Sequence, residues 1–89
     1  MAKRGKLEII KDILKTIQEN HNKIKPTPLL RRSNISSSRF KEYFSELLGK
    51  GMIKEIYYGK NKVISLTEKG TRFLEKYKTI LNFIDEFEL

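Results

Sequence analysis

Apolar residues recur at Leu7, Ile10, Ile13, Leu14 and Ile17, with Ile9 beside them. A step of three to four residues is the period of a helix that buries one face. The spacing predicts a first helix from about Lys6 to Asn20. Asn20-His21-Asn22 closes it with residues that tolerate turn or left-handed geometry. The ring of Pro26 holds the preceding Ile24-Lys25 extended, which leaves room for a short strand. Thr27 before Pro28 reads as an N-cap followed by a first helical residue, because a hydroxyl can accept an orphan N–H and proline loses nothing there. A short second helix from Pro28 to Ser33 is expected. Asn34-Ile35 then turns the chain, and Ser36 is a natural cap for a third helix. Its stripe is Phe40, Tyr43, Phe44, Leu47 and Leu48, and it ends near Gly49, with Gly51 suited to the left-handed position past the end.

The pattern then changes period. Ile53 to Tyr58 and Lys62 to Leu66 are β-branched and aromatic, and Gly59-Lys60-Asn61 between them is turn chemistry, which predicts a hairpin with a basic tip. Thr67 caps a last helix in which Phe73, Tyr77, Ile80, Ile84 and Phe87 fall on one stripe, flanked by Leu74 and Leu81. Three helices, the second and third joined by a tight turn, followed by a hairpin make the winged variant of the helix-turn-helix, whose third helix enters the major groove. The expected fold is mainly α with a small β-hairpin and an extended C-terminal helix. Residues 1–67 form the winged helix-turn-helix unit with a basic N-terminal arm, and residues 68–89 complete its core and reach beyond it.

Composition sharpens this picture. At 89 residues and 38% hydrophobic the chain supports one core, since a domain of this size buries only about 60% of its unfolded surface. There is no Cys, which removes disulfide frameworks, thiolate catalysis and cysteine-rich zinc sites. Apolar runs such as Leu29-Leu30 fall far short of the roughly 20 residues that span a bilayer, and the N-terminus lacks the apolar core of a signal peptide. A soluble, cytoplasmic, nucleoid-associated protein is expected. The net charge is +8, and it is uneven: 15 cations against 6 acids give +9 for residues 1–67, while 4 against 5 give −1 for residues 68–89. No acid lies between Asn20 and Lys41, where Lys23, Lys25, Arg31, Arg32, Arg39 and Lys41 add six positive charges. A basic run is often just a solvated face, but here it falls on the segment that a winged helix turns toward a polyanion.

The third helix presents Ser38, Glu42 and Ser45 opposite its apolar stripe, flanked by Arg39 and Lys41, at about 100° per residue. Ser36, Ser37 and Ser38 offer hydroxyls and free N–H groups at a helix start, suited to capping and to phosphate oxygens alike. The fork of Arg39 matches a guanine edge or a phosphate, and Arg31, Arg32 and Lys41 suit phosphate. Glu42 can accept from a cytosine amino group or pair with Lys41 or Arg39. On the hairpin, Lys60, Asn61 and Lys62 are candidates for the minor groove or flanking phosphates and Tyr58 for sugar, while edge protection is the plainer role of hairpin lysines. Lys3, Arg4 and Lys6 form a basic arm that adds nonspecific affinity.

Lys3-Arg4-Gly5 leading into LEIIKDIL, then SNIS, the FKEYFSELLGKGMI block and ISLTEKGTRFLEKY resembles the archaeal winged-helix family of small DNA-binding regulators and chromatin-like dimers. The resemblance implies duplex DNA as the partner and dimerisation through an antiparallel coiled coil of the last helix. The residues of that helix agree. From Glu68 to Phe87 it runs about 30 Å, longer than a three-helix core can cover. With Phe73, Leu74 and Tyr77 at the core, Ile80, Leu81, Phe83, Ile84 and Phe87 are left as an apolar patch, and Tyr77 through Phe87 is the candidate dimer seam, unless the helix folds back onto the first one. Asp85, Glu86 and Glu88 repel across a parallel pair and favour an antiparallel one, where they meet Lys76 or Lys78.

Catalysis has no residues to stand on. His21 sits alone in a turn, and no glycine-rich phosphate loop, paired buried carboxylates or nucleophile elbow occurs, so no enzyme, metal, cofactor or small-molecule ligand is expected. The functional expectation is a homodimeric double-stranded-DNA-binding protein, sequence-specific or architectural, most simply a transcription regulator. The alternative is a protein-interaction or RNA-binding winged helix recruited through its last helix.

Overall fold

The computed structural model describes residues 5–89. Its elements run α1 (Lys6–Glu19), α2 (Pro26–Ser33), α3 (Ser37–Gly49), β1 (Ile53–Tyr58), β2 (Asn61–Leu66) and α4 (Glu68–Glu86). This is the expected mainly helical fold with a hairpin and a long final helix. Of the arm residues, Lys3 and Arg4 lie outside the described residues, whereas Lys6 is not part of a free arm: it opens α1 and pairs with Glu46 of α3.

The core is built on α1. Ile9, Ile10, Ile13, Leu14 and Ile17 are buried, and α2, β2 and α4 all pack against this helix. Leu7, read from sequence as part of the same stripe, is 59% exposed, whereas Ile9 is buried. The buried arc centres between Ile10 and Ile13, so Leu7 lies at its edge in the first turn. Past Asn20, His21 and Asn22 take left-handed φ values of 59° and 60°, and the Asn22 side-chain oxygen accepts the Leu66 N–H at 2.7 Å. That reversal brings Ile24 alongside Ile64, with backbone hydrogen bonds of 3.1 and 2.7 Å, so in place of the short strand expected before Pro26 there is a single isolated bridge to β2, and the sheet keeps two strands.

The second helix starts two residues earlier than the Thr27 cap predicts. Pro26 is its first residue and Lys25 the extended N-cap, with no side-chain cap bond. Thr27 and Pro28 then fall within the first turn, where backbone N–H groups are unpaired anyway and a second proline costs no hydrogen bond. Asn34 ends α2 in the left-handed conformation, φ 57°. Ser36 caps α3 as expected, its Oγ accepting the Arg39 N–H at 3.3 Å. Phe40 and Leu47 of α3 are buried, Tyr43, Phe44 and Leu48 pack partly buried beside them, and Phe40 stacks on Phe44 with ring centroids 5.6 Å apart.

Gly51, φ 72°, takes the left-handed position past α3, and the N–H groups of Gly51 and Met52 close onto Leu48 and Leu47 carbonyls. In the hairpin, Tyr58 pairs with Asn61, so the loop is Gly59-Lys60 alone and Asn61 belongs to the strand rather than the turn. Gly59 has φ 61°, a geometry glycine adopts without strain. Thr67 caps α4: its Oγ1 accepts the Gly70 N–H at 3.2 Å and donates to the Gly51 carbonyl at 2.5 Å. Gly70 is pressed against the Met52 carbonyl, and a Cβ there would overlap that oxygen as well as approach Leu66 Cδ2 at 3.3 Å.

Glu46 of α3 ties this helix to α1 through Lys6 Nζ at 3.0 Å, with Lys50 Nζ at 3.6 Å from its other oxygen. The Lys6 hydrogen bond, aided by Lys50, holds the Glu46 carboxyl below the ordinary 4.5. A carboxyl depressed on folding contributes stability above its unfolded value and loses that contribution as pH falls through its folded one. Thermal unfolding of the wild type is therefore expected to lose its advantage over Glu46→Gln as pH drops below about 4.5; a difference independent of pH would show that the pair contributes nothing. Gly70→Ala is expected to destabilise by about 2 kcal/mol or more, because backbone rather than a flexible side chain must move. Urea denaturation checks this, and an unchanged midpoint would mean that α4 can lift off the Met52 turn freely.

Candidate nucleic-acid interface

The surface of α3 divides around its axis. Ser38, Glu42 and Ser45 form an exposed ridge opposite the buried Phe40 and Leu47. Arg39 and Lys41 are both exposed and lie on opposite flanks of that ridge at the helical pitch of about 100° per residue. Glu46 shares the Arg39 flank and is committed to Lys6. Glu42 makes no ion pair with Arg39 or Lys41 among the described residues, so the flanking cations are not neutralised by it.

On the Lys41 flank the helix borders a hollow of about 200 Å³. Its floor is apolar, from Pro26, Leu30, Phe40 and Phe44, and Lys41 of α3 and Lys62 of the hairpin both stand at it. Two cations from separate elements thus face one concavity between α3 and the wing. Ser36 and Ser38 face each other at the start of α3, Oγ to Oγ 3.4 Å, and Ser37 lies exposed between them. Backbone N–H groups of this first turn point outward from the positive end of the helix dipole.

The hairpin is less free than its lysines suggest. Lys62 Nζ lies 2.8 Å from Glu55 Oε2, and the Glu55 carboxylate holds the Lys62 ammonium above its ordinary value. The register explains the pair: Tyr57 faces Lys62 and Glu55 faces Ile64, which puts Glu55 and Lys62 diagonally on one face of the sheet. Lys60 and Asn61 remain exposed at the tip, and Tyr58 is exposed with the Lys23 ammonium 5.5 Å over its ring. Lys23 thus joins the wing, and Tyr57, 65% exposed, is the most open residue of that strand pair's aromatics. Tyr57 is not singled out from sequence, where the alternation of β1 and a two-residue loop carry its signal; Lys23 is read there only as part of the basic stretch, and its place beside the wing depends on the Asn20–Asn22 reversal.

The two arginines of α2 part company. Both are exposed in the last turn, where cations complement the helix dipole. Arg32, however, lines a shallow pocket with Lys11, Asp12, Lys15, Thr16 and Glu19 of α1, so it stands among charges of both signs on another helix rather than with Lys41 and Lys62. On α4, Ile80, Leu81, Phe83, Ile84 and Phe87 are all exposed, so the helix does not fold back to bury them. Tyr77 differs from this set: it is half-buried, stacks on Phe73 at 6.0 Å between centroids and lies under the Lys11 ammonium at 5.9 Å. Among the described residues there is no cluster of three His, Asp or Glu able to hold a metal ion, and no helix long and apolar enough to cross a membrane.

Solved structures share this architecture. Sso10a-2, a DNA-binding protein from Sulfolobus solfataricus, superposes with a TM-score of 0.77 at 21% identity, covering 96% of this chain and 86% of its own. F93 from STIV, a winged-helix DNA-binding protein, gives 0.73 at 21% identity over 89% of this chain and 91% of its own. F-93 from SSV1 gives 0.63 at 23% identity over 88% and 91%. No curated protein sequence matches the chain significantly. The sequence pattern of the winged helix-turn-helix family matches residues 3–85, which, with the tight α2–α3 turn and the hairpin behind α3, places this chain in the winged helix-turn-helix family.

Proposed function

We propose that the chain binds double-stranded DNA as a homodimer and acts as a nucleoid-associated transcription regulator or DNA-organising protein. The observation that carries the reading is the set of exposed cations around α3 that have no counter-ion among the described residues: Arg31, Arg39, Lys41 and, at the wing tip, Lys60. Unneutralised charge gathered on one face is the electrostatic footprint of a phosphate-binding surface. The likeness to proteins described as DNA-binding supports the same partner.

In this reading the Ser38, Glu42 and Ser45 ridge faces base edges in the major groove. Arg39 contacts a base or phosphate on one side, and Lys41 meets phosphate on the other, beside the hollow it shares with Lys62. The N–H groups of Ser37 and Ser38 receive a phosphate oxygen while Ser36 keeps its capping role. Lys60, Asn61 and Tyr58 meet the flanking backbone, with Lys3 and Arg4 adding charge. Lys62 contributes less than its type suggests because Glu55 already holds it, and Arg32 less because of its setting beside α1.

The dimer follows from the exposed apolar stretch of α4. Five large side chains, Ile80, Leu81, Phe83, Ile84 and Phe87, stand open on one helix end, more than isolated surface residues account for. A second copy covers them by an isologous contact, the same patch on both chains. Two binding units then face one duplex, as operator symmetry demands of a helix-turn-helix pair.

Fluorescence anisotropy with a labelled duplex tests the partner, with a single strand and an RNA duplex as competitors. Binding is expected to prefer duplex DNA and to weaken on the order of a hundredfold between 50 and 200 mM salt. The double change Arg39→Ala, Lys41→Ala should weaken it further without changing the melting temperature, and unaltered affinity would remove α3 from the interface. No duplex binding at low salt would favour a protein-interaction role for α4 instead. Light scattering should give about twice the 10.5 kDa chain mass, and Ile84→Asp should return it to one. A monomeric wild type at high micromolar concentration contradicts the seam.

A further inference from the structure

A groove of about 370 Å³ lies where α4 packs on α1. Leu74, Tyr77 and Leu81 of α4 give it apolar surface, and Lys11 and Lys15 of α1 and Lys78 of α4 line it with positive charge. The three cations differ. Lys11 is committed, 2.7 Å from Asp12 and 5.9 Å from the centre of the Tyr77 ring. Lys15 and Lys78 are exposed, come from different helices and have no counter-ion among the described residues. Gln18, one turn past Lys15, adds an amide that can donate a further hydrogen bond. Among the described residues no carboxylate lines the groove.

The duplex-binding surface does not account for these features. None of the lining residues belongs to α2, α3 or the hairpin. A nucleic-acid backbone is held by rows of cations, whereas this groove offers two free ammonium groups beside apolar surface. The side of α4 that it uses is also not the one with the open aromatic end. At about 100° per residue Leu74, Lys78 and Leu81 fall within about 60° of one another, while Phe83 and Phe87 lie on the other side of the helix. The molecule that satisfies both features has an apolar body and one anionic end.

We propose that the α1–α4 groove binds a small amphipathic monocarboxylate, its apolar body against Leu74, Tyr77 and Leu81 and its carboxylate between Lys15 and Lys78, with Gln18 as a further donor. Sites for such molecules enclose about 300–1,000 Å³ and pair mostly apolar lining with a few placed polar groups, a description the groove meets. Tyr77 is held by Phe73, 6.0 Å between ring centroids, and by Lys11, so this part of the lining is set before anything binds. The sequence, from which no small-molecule ligand is expected, does not reveal the site, because its lysines come together only when α4 packs against α1. A flat aromatic acid and a short fatty acid share this chemistry.

Amide-shift titration of the isotopically labelled full chain with naphthoate and with octanoate tests the site and separates the two bodies. At least one acid is expected to bind with a dissociation constant below about 1 mM and to shift Lys15, Gln18, Tyr77 and Lys78. The matching alcohols, naphthylmethanol and octanol, lack the charge and should bind about tenfold or more weakly. Acetate, the charge without the body, should not compete. Lys15→Gln with Lys78→Gln should weaken the better acid by about tenfold while leaving its alcohol unchanged, a split that a misfolded variant does not give. Ile84→Asp, outside the lining, should bind as wild type does, whether or not the chain dimerises. No shift with either acid, shifts centred on Phe83 and Phe87, equal affinity for acid and alcohol, or affinity indifferent to the two lysines overturns the proposal. Loss of binding in Ile84→Asp overturns the groove of a single chain as the site, and places the acid at a surface shared by two chains.

Discussion

Everything in this small domain leans on one helix face. Ile13, Leu14 and Ile17 of α1 have no exposed surface, and α2, β2 and α4 each pack against that helix. A chain of this length has a single core to organise around, so the direction of α1 fixes where the other elements go. The Asn22 bridge to Leu66 and the Ile24–Ile64 pairing bind the end of α1 to the sheet. The Lys6–Glu46 pair binds its start to α3. The helix with the exposed ridge and the helix with the exposed apolar end are thus both tied to α1, one through the Lys6–Glu46 pair and the other by packing.

The second organising feature is what becomes of the cations. Of the nineteen Lys and Arg residues, several are taken up internally: Lys6 and Lys50 by Glu46, Lys11 by Asp12, and Lys62 by Glu55. These pairs lie at least partly in solvent and contribute little to stability individually. Their larger effect is to decide where the unmatched charge remains. Unmatched charge remains around α3 and at the hairpin tip, and among the described residues also at Lys15 of α1 and Lys78 of α4. The α4 end, with Asp85, Glu86 and Glu88, carries the opposite sign and an apolar surface, a chemistry suited to protein rather than DNA.

Most of the fold was legible because its boundaries are local chemistry. Ser36 and Thr67 cap helices through their own hydroxyls, and Asn34, Gly51 and Gly59 occupy left-handed positions, all features decided by residues within a few positions of each other. What escaped is non-local. The start of α2 turned on two prolines that both suit a first turn, and the pattern preferred the one with a hydroxyl before it. Leu7 matched the helical period yet lies past the edge of the arc that its neighbours cover. For the site, the exposed face of α3 was readable from periodicity. The fate of Lys62 was not, since Glu55 becomes its neighbour only once the strand register is set, and Arg32 was separated from Arg31 by the packing of α2 on α1.

The central claim is that duplex DNA lies along α3 and the wing while α4 stays clear of it. The most direct measurement is the change in backbone amide shifts of the isotopically labelled protein as an unlabelled duplex is added. The largest shifts are expected at Ser37, Ser38, Arg39, Lys41 and Glu42 and at Lys60 and Asn61, with Ile80 through Phe87 unmoved. Shifts concentrated on α4, or none on α3, would contradict it.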